Sequence, residues 1–106
     1  MKNNDLFMDV FNLELKREFK NAFEVEAVRL LEKKNQRIAY AIILRYGFDG
    51  MGQKTYEEVA KLLPSHDGKK VGIGLERARQ VVLQGLRYLK YTHKLNKYTR
   101  IEECQK

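Results

Sequence analysis

The sequence has little cysteine, proline and tryptophan, with one, one and none of these among its 106 residues. A single cysteine, Cys104, excludes an intrachain disulfide and a cysteine-built zinc cluster, which fits a reducing compartment. No apolar stretch is long enough to span a membrane, and the first residues, MKNNDLFMDVFNLELKREF, lack the apolar centre of a signal peptide. Together these absences favour a cytoplasmic protein without a membrane-spanning segment.

Enzymatic motifs are missing as well. The two histidines, His66 and His93, stand 27 positions apart, and no nucleophile motif or metal-ligand spacing accompanies them. The glycine-rich segment GKKVGIG fits neither a dinucleotide-binding nor a phosphate-binding loop pattern. We therefore expect a protein that is not an enzyme and that has no metal site and no cofactor.

Scarce proline and few runs of β-branched residues predict a helical fold. Hydrophobic residues make up 43% of the chain and charged residues 33%, as in soluble globular proteins. A chain of this length forms one domain with a modest core. The expected fold class is all-α, a small helical bundle.

Acidic residues nearly disappear between residues 69 and 100. Residues 1–68 contain eleven Lys/Arg and eleven Asp/Glu, whereas residues 69–100 contain nine Lys/Arg and one acid, Glu76. Ordinary surfaces mix both signs, so this segment predicts a surface for a polyanion such as double-stranded DNA. A solvated face that only keeps the protein in solution is the alternative.

Apolar periodicity predicts three helices in the first half of the chain. The first runs from about Asp5, a predicted N-cap, to Phe19, and the second covers residues 22–34. One bent helix is the alternative, because no glycine or proline separates the two. The third, in NQRIAYAIILRYG, ends at Gly47 in a C-cap position. Residues 1–34 form an N-terminal helical segment that packs on the domain or forms a homodimer.

The segment KTYEEVAKLL predicts a short capped helix. Thr55 stands three residues before Glu58, which is the spacing of a capping box, and Pro64 ends the helix. The apolar residues predicted to face inward are Val59, Leu62 and Leu63.

A long turn separates this helix from the next. The intervening segment, PSHDGKKVGIG, is a loop or a small β-hairpin that turns at Asp67-Gly68. The helical period returns at Leu75 and continues to about Lys90, or on towards Lys97. The residues of this helix predicted to face inward are Ala78, Val81, Val82, Leu86 and Leu89. The two helices predict a helix-turn-helix whose turn is enlarged by an insertion. Three alternatives exist for the insertion. It is tolerated without a function, its lysines bind DNA phosphates beside the groove, or it occupies the surface where DNA would bind.

Three ordered motifs resemble region 4 of housekeeping-type bacterial RNA polymerase sigma factors. They are Arg45-Tyr46-Gly47-Phe48, then Thr55-Tyr56-Glu57-Glu58-Val59-Ala60, then Glu76-Arg77-Ala78-Arg79-Gln80-Val81 followed by Leu86-Arg87-Tyr88-Leu89-Lys90. The resemblance covers about residues 31–90 and implies a free-standing region 4-like domain at 35–92, with a basic, polar tail at 93–106. It further implies a DNA-binding transcription regulator that acts with RNA polymerase, since region 4 docks on the β-subunit flap through apolar surface.

The resemblance and helix geometry together assign candidate DNA contacts. In a helix-turn-helix, the N-terminal residues of the second helix reach base edges, and residues three or four apart share a side. The candidates for base reading are Glu76, Arg79 and Gln80. The candidates for phosphate binding are Arg45, Thr55, Tyr56, Lys69, Lys70, Arg77 and Arg87. Ordinary solvated positions, and for Thr55 an ordinary helix cap, are the alternatives.

The start of the second helix departs from the family. Gly74 and Leu75 stand where region 4 has threonine and arginine. Loss of the arginine removes a base or phosphate contact, and the long turn is absent from the family. These departures favour a second hypothesis, in which the domain is a protein-interaction module, such as a polymerase-binding adaptor or sigma mimic, without specific DNA reading.

Overall fold

The computed structural model describes residues 5–103, with side chains described up to residue 99. Helices account for all the regular structure within this range, so the all-α prediction is confirmed. None of these helices is both long and apolar enough to cross a membrane. Cys104 lies outside the described residues. The helices are α1 (Leu6–Phe11), α2 (Arg17–Lys34), α3 (Gln36–Tyr46), α4 (Tyr56–Leu62), α5 (Leu75–Tyr91) and α6 (Asn96–Glu103).

The N-terminal segment forms two separate helices. As predicted, Asp5 caps α1, since its carboxylate accepts the N–H of Phe7 at 3.0 Å. The predicted continuation to Phe19 is wrong, and so is the single bent helix, because Asn12 ends α1 with left-handed backbone at φ +56°. Asparagine tolerates this conformation better than most residues, so it breaks the helix where neither glycine nor proline is present.

An aromatic cluster joins the N-terminal segment to the rest of the core. The Phe7 and Phe23 rings meet edge to face with centroids 4.9 Å apart, and Phe23 meets Tyr98 in the same way at 5.4 Å. Leu6 and Val10 are buried beside them. The apolar face of α1 is therefore covered within a single chain.

The predicted polar tail contains a packed helix. Leu95 and Tyr98 are buried around the start of α6, and the Tyr98 hydroxyl donates a hydrogen bond to Glu26 on α2 at 2.9 Å. Burial, together with this hydrogen bond, raises the pKa of Tyr98 to about 12. α5 ends at Tyr91 rather than near Lys97. The domain thus extends through α6 at least to residue 103.

A glycine allows α3 and α5 to approach closely. A Cβ atom at Gly85 of α5 would lie 2.9 Å from Ile38 Cγ2 and 3.0 Å from Ile42 Cγ1 on α3. Gly85 therefore fits where a larger residue would push the helices apart. This contact holds α5 against α3, whose C-terminal end carries Arg45.

α4 and α5 form the helix-turn-helix. Val59, Ala60 and Leu63 bury one side of the first helix, and Ala78 and Val82 lie in the buried stripe of α5. The prediction that Leu62 faces inward is wrong, since 43% of its surface is exposed. At about 100° per residue, Leu62 falls well away from the centre of the buried stripe.

The insertion folds back on itself between these two helices. A single antiparallel bridge pairs Pro64 with Val71, and the Ser65 N–H donates to the Lys70 carbonyl at 2.8 Å. Gly68 takes the left-handed conformation at the predicted turning point. The segment is therefore hairpin-like, but within the described part of the chain it forms one bridge rather than two strands.

Candidate nucleic-acid interface

The N-terminus of α4 is closed by its own side chains. Thr55 Oγ1 accepts the N–H of Glu58 at 3.2 Å, and the Glu58 carboxylate accepts the N–H of Thr55 at 2.9 Å, which confirms the predicted capping box. The hydroxyl oxygen and the backbone N–H of Thr55 are thus both hydrogen-bonded within the chain. The cap accounts for this residue without a phosphate contact.

Removing the cap should destabilise the domain measurably. We expect Thr55→Ala to lower the free energy of unfolding by about 1 kcal/mol, because the N–H of Glu58 loses its acceptor. Urea unfolding followed by circular dichroism measures the difference. Thr55→Ser keeps the hydroxyl and serves as the control; an equal loss in both variants would contradict the role of the cap.

Arg45 and Tyr56 form a stacked pair beside this cap. The Arg45 guanidinium lies over the Tyr56 ring, 4.0 Å from its centroid, and its Nη1 donates to the Lys54 carbonyl at 2.7 Å. Stacking on an aromatic ring holds the guanidinium in a fixed orientation. A guanidinium has five N–H donors, so others remain for a phosphate. The structure therefore brings together two of the predicted phosphate ligands.

The first turns of α5 lie next to this pair. Arg79 interacts electrostatically with Tyr56, and it forms a two-pronged contact with Glu76, at 2.7 Å from Nη2 and 3.3 Å from Nε. The hydrogen bond raises the pKa of the Arg79 guanidinium and lowers that of the Glu76 carboxyl. Gln80 is exposed at the following position. Arg45, Tyr56, Glu76, Arg79 and Gln80 are called the α4–α5 surface below.

The remaining candidate contacts surround this surface at different places. Arg77 is exposed and its Nη1 donates weakly to Gln80 at 3.4 Å. Lys69 and Lys70 are exposed on the insertion, where their backbone N–H groups donate to the side chains of Asp67 and Ser65. Arg87 is exposed about three turns along α5 from Glu76, or roughly 16 Å at the rise of a helix. The structure does not bring Arg87 to the α4–α5 surface.

One contact at this site has no signal in the sequence. The Nε of Arg37 on α3 donates to the Pro64 carbonyl at 2.9 Å, across 27 positions of sequence. It fixes the base of the insertion against α3. The Gly72 N–H also donates to the Leu63 carbonyl at 2.7 Å and the Ile73 N–H to the Ala60 carbonyl at 2.8 Å, so the returning chain follows the end of α4.

A shallow groove of about 480 Å³ lies between α2 and the end of α3. Val25, Val28, Ile43 and Phe48 supply its apolar lining, and 46% of the Val25 surface is exposed. Glu24 also lines the groove, and burial raises the pKa of its carboxyl. The sequence predicts a helix over residues 22–34, but not that Val25 lines a groove.

The chain matches no model of a known protein family, no curated protein and no solved structure. The resemblance to sigma region 4 therefore depends on the three sequence motifs and remains a hypothesis. Across the described side chains, no cluster of three or more His, Cys, Asp or Glu residues could hold a metal ion.

Proposed function

We propose that this chain binds double-stranded DNA through α4 and α5 and acts in the cytoplasm as a transcription regulator together with RNA polymerase. The observation that carries this proposal is the α4–α5 surface. Arg45 at the end of α3 stacks on Tyr56 at the start of α4, and exposed Arg79 near the start of α5 lies within electrostatic range of Tyr56. In a helix-turn-helix this end of the second helix enters the major groove.

Each exposed side chain of the first turns of α5 suits a different base edge. An arginine at position 79 can bridge guanine O6 and N7, a glutamine at position 80 can pair with adenine, and Glu76 can accept from the cytosine amine. The Glu76–Arg79 ion pair is exposed on both sides, so water, salt and a base edge compete with it readily. Exchange of this internal contact for a base contact would accompany binding.

Phosphate contacts would position α5 without reading sequence. Arg45 and Tyr56 would lie beside the DNA major groove on the α4 side. Lys69 and Lys70 are exposed on the insertion, and Arg77 is exposed in the first turn of α5. Such contacts release counterions and make affinity depend steeply on salt concentration. The excess of basic residues between 69 and 100 supports this role.

The groove between α2 and α3 supports an association with RNA polymerase. Its apolar lining is suited to an apolar segment of a partner protein, such as the β-subunit flap on which region 4 docks.

Binding of an isolated flap domain, measured by calorimetry, tests this part of the proposal. A charge at the groove, as in Val25→Glu, should abolish flap binding, and unchanged flap affinity in this variant would contradict it.

A protein-interaction module without specific DNA reading is the second candidate function. Two of the three predicted base-reading side chains, Glu76 and Arg79, satisfy one another in the free protein. Leu62 and Val71 near the turn are exposed and apolar, with 75% of Val71 accessible. Both observations favour a surface that meets another protein.

The proposed DNA binding is tested by titrating a fluorescent duplex of random sequence at low salt and then raising the salt concentration. We expect binding whose affinity falls steeply with salt. Lys69→Ala combined with Lys70→Ala should weaken binding to every duplex about equally and reduce the slope of log affinity against log salt by roughly 2, or about 1 per lost contact.

Lys20→Ala combined with Lys33→Ala removes the same charge from α2 and is the matched control. A control variant with the same change in slope would show that net charge, and not the insertion, matters. If the wild-type chain binds no duplex at low salt, DNA binding is refuted and the protein-interaction function is favoured.

A further inference from the structure

Leu75 is an apolar residue whose side chain does not pack in the hydrophobic core. It is the first residue of α5, and 52% of its surface is exposed. The buried positions of α5 begin at Ala78 and continue through Val81 and Val82, so the core does not include Leu75. Packing therefore does not explain a branched apolar residue at this position.

The geometry of α5 places Leu75 among the base-reading candidates. Residues four apart lie on the same side of a helix, so Leu75 neighbours Arg79 on the α4–α5 surface. The preceding residue, Gly74, is extended and provides no side-chain cap. A Cβ atom added at Gly74 would meet nothing within 4 Å, so the space in front of the helix is open. A ligand can therefore approach Leu75 from the N-terminal end of α5.

The major groove offers one strongly apolar group on a base edge. Only thymine carries a methyl group, at C5, whereas the other edges present hydrogen-bond donors and acceptors. A leucine against those polar edges would displace their water without replacing its hydrogen bonds. Leucine against a thymine methyl buries apolar surface on both sides.

We propose that Leu75 is a specificity-determining residue that contacts the C5-methyl group of a thymine in the major groove. This inference rests on the proposed DNA-binding function and adds one base to it. The preferred duplex carries a thymine next to the base read by Arg79. The leucine thus selects for thymine where arginine or glutamine would select for guanine or adenine.

The test uses duplexes recovered by selection from a random pool, with each thymine replaced in turn by deoxyuridine. This exchange removes the methyl group alone. At one thymine we expect wild-type affinity to fall about fourfold, the effect of roughly 0.8 kcal/mol for one buried carbon. Leu75→Ala should bind the thymine and deoxyuridine duplexes equally well.

Leu62→Ala is the matched control, because Leu62 is exposed to a similar degree but lies on α4. This variant should retain the fourfold difference between the two duplexes. Thermal melting checks that both variants are folded, since neither leucine belongs to the core.

Three results would overturn the inference. They are a selected site without thymine, a wild-type affinity insensitive to every deoxyuridine exchange, and a fourfold difference that persists in Leu75→Ala. Any of these with specific DNA binding intact leaves the proposed function standing and overturns only the thymine contact of Leu75. A chain that binds no duplex overturns both proposals together.

Discussion

Gly47→Ala is expected to lower the melting temperature of the domain by roughly 8–25 °C, the largest effect on stability of any exchange considered for this chain. Gly47 follows α3 with left-handed backbone at φ +75°. An added Cβ would also lie 2.6 Å from the carbonyl carbon of Gly52 and 2.8 Å from the nitrogen of Gln53. The left-handed conformation costs about 1–2 kcal/mol with a side chain, and displacement of packed backbone about 1–3 kcal/mol more.

The close approach at Gly47 also positions the candidate interface. It folds the loop after α3 back so that the Arg45 guanidinium reaches the Lys54 carbonyl and the ring of Tyr56. We therefore expect Gly47→Ala to weaken DNA binding even below its melting temperature, because the stacked pair loses its support.

Gly50→Ala is the matched control for this effect. Gly50 also has a positive φ, at +84°, but a Cβ at this position would meet nothing within 4 Å. Only the backbone conformation is then penalised, at about 1–2 kcal/mol, and the melting temperature should fall by roughly 4–10 °C. Equal shifts in the two variants, measured by differential scanning calorimetry, would contradict the close approach of Gly47 to Gly52.

Arg79→Ala combined with Gln80→Ala is expected to reduce the preference for a selected duplex over a random one by roughly 30-fold or more. Each well-formed two-pronged base contact contributes about 1–3 kcal/mol of discrimination, and this variant removes two. Affinity for random duplexes should change far less, since it depends on phosphate contacts. Competition between the two duplexes measures the ratio directly.

The same two residue types recur further along α5 and provide the control. Gln84 and Arg87 are exposed, but they lie beyond the first turns of the helix. Gln84→Ala combined with Arg87→Ala should weaken both duplexes about equally and leave the preference unchanged. If the Arg79/Gln80 variant keeps the wild-type preference, the assignment of these residues to base reading is wrong.

Local signals in the sequence predicted much of this fold. The caps at Asp5, Thr55 and Gly47 are encoded in a few neighbouring residues, and the structure confirms all three. The period of α5 likewise predicted its buried face, including Ala78 and Leu89. These features depend on intrinsic backbone preferences and on one helical repeat, which the sequence carries directly.

Features that depend on distant contacts could not be predicted in this way. α6 is held by Leu95 and by a hydrogen bond from Tyr98 to Glu26 across 72 positions, in a segment whose composition is that of a polar tail. The early end of α1 follows from one residue, Asn12, whose left-handed conformation is only a weak preference.

In the candidate site, too, the sequence predicted the local features but not the contacts between distant residues. Helix periodicity placed Glu76, Arg79 and Gln80 on one exposed side of α5, and their exposure in the structure agrees. The stacking of Arg45 on Tyr56 and the bond from Arg37 to Pro64 join separate helices and loops. Only the three-dimensional arrangement shows that the insertion is fixed at its base.

Selection of duplexes from a pool with a random central region tests most directly whether α5 reads DNA sequence. The wild-type chain is incubated with the pool at moderate salt, and the bound duplexes are amplified and sequenced over several rounds. We predict enrichment of one short motif that contains a guanine contacted by Arg79 and a neighbouring thymine. A pool that stays random after repeated rounds would contradict sequence reading by this helix-turn-helix.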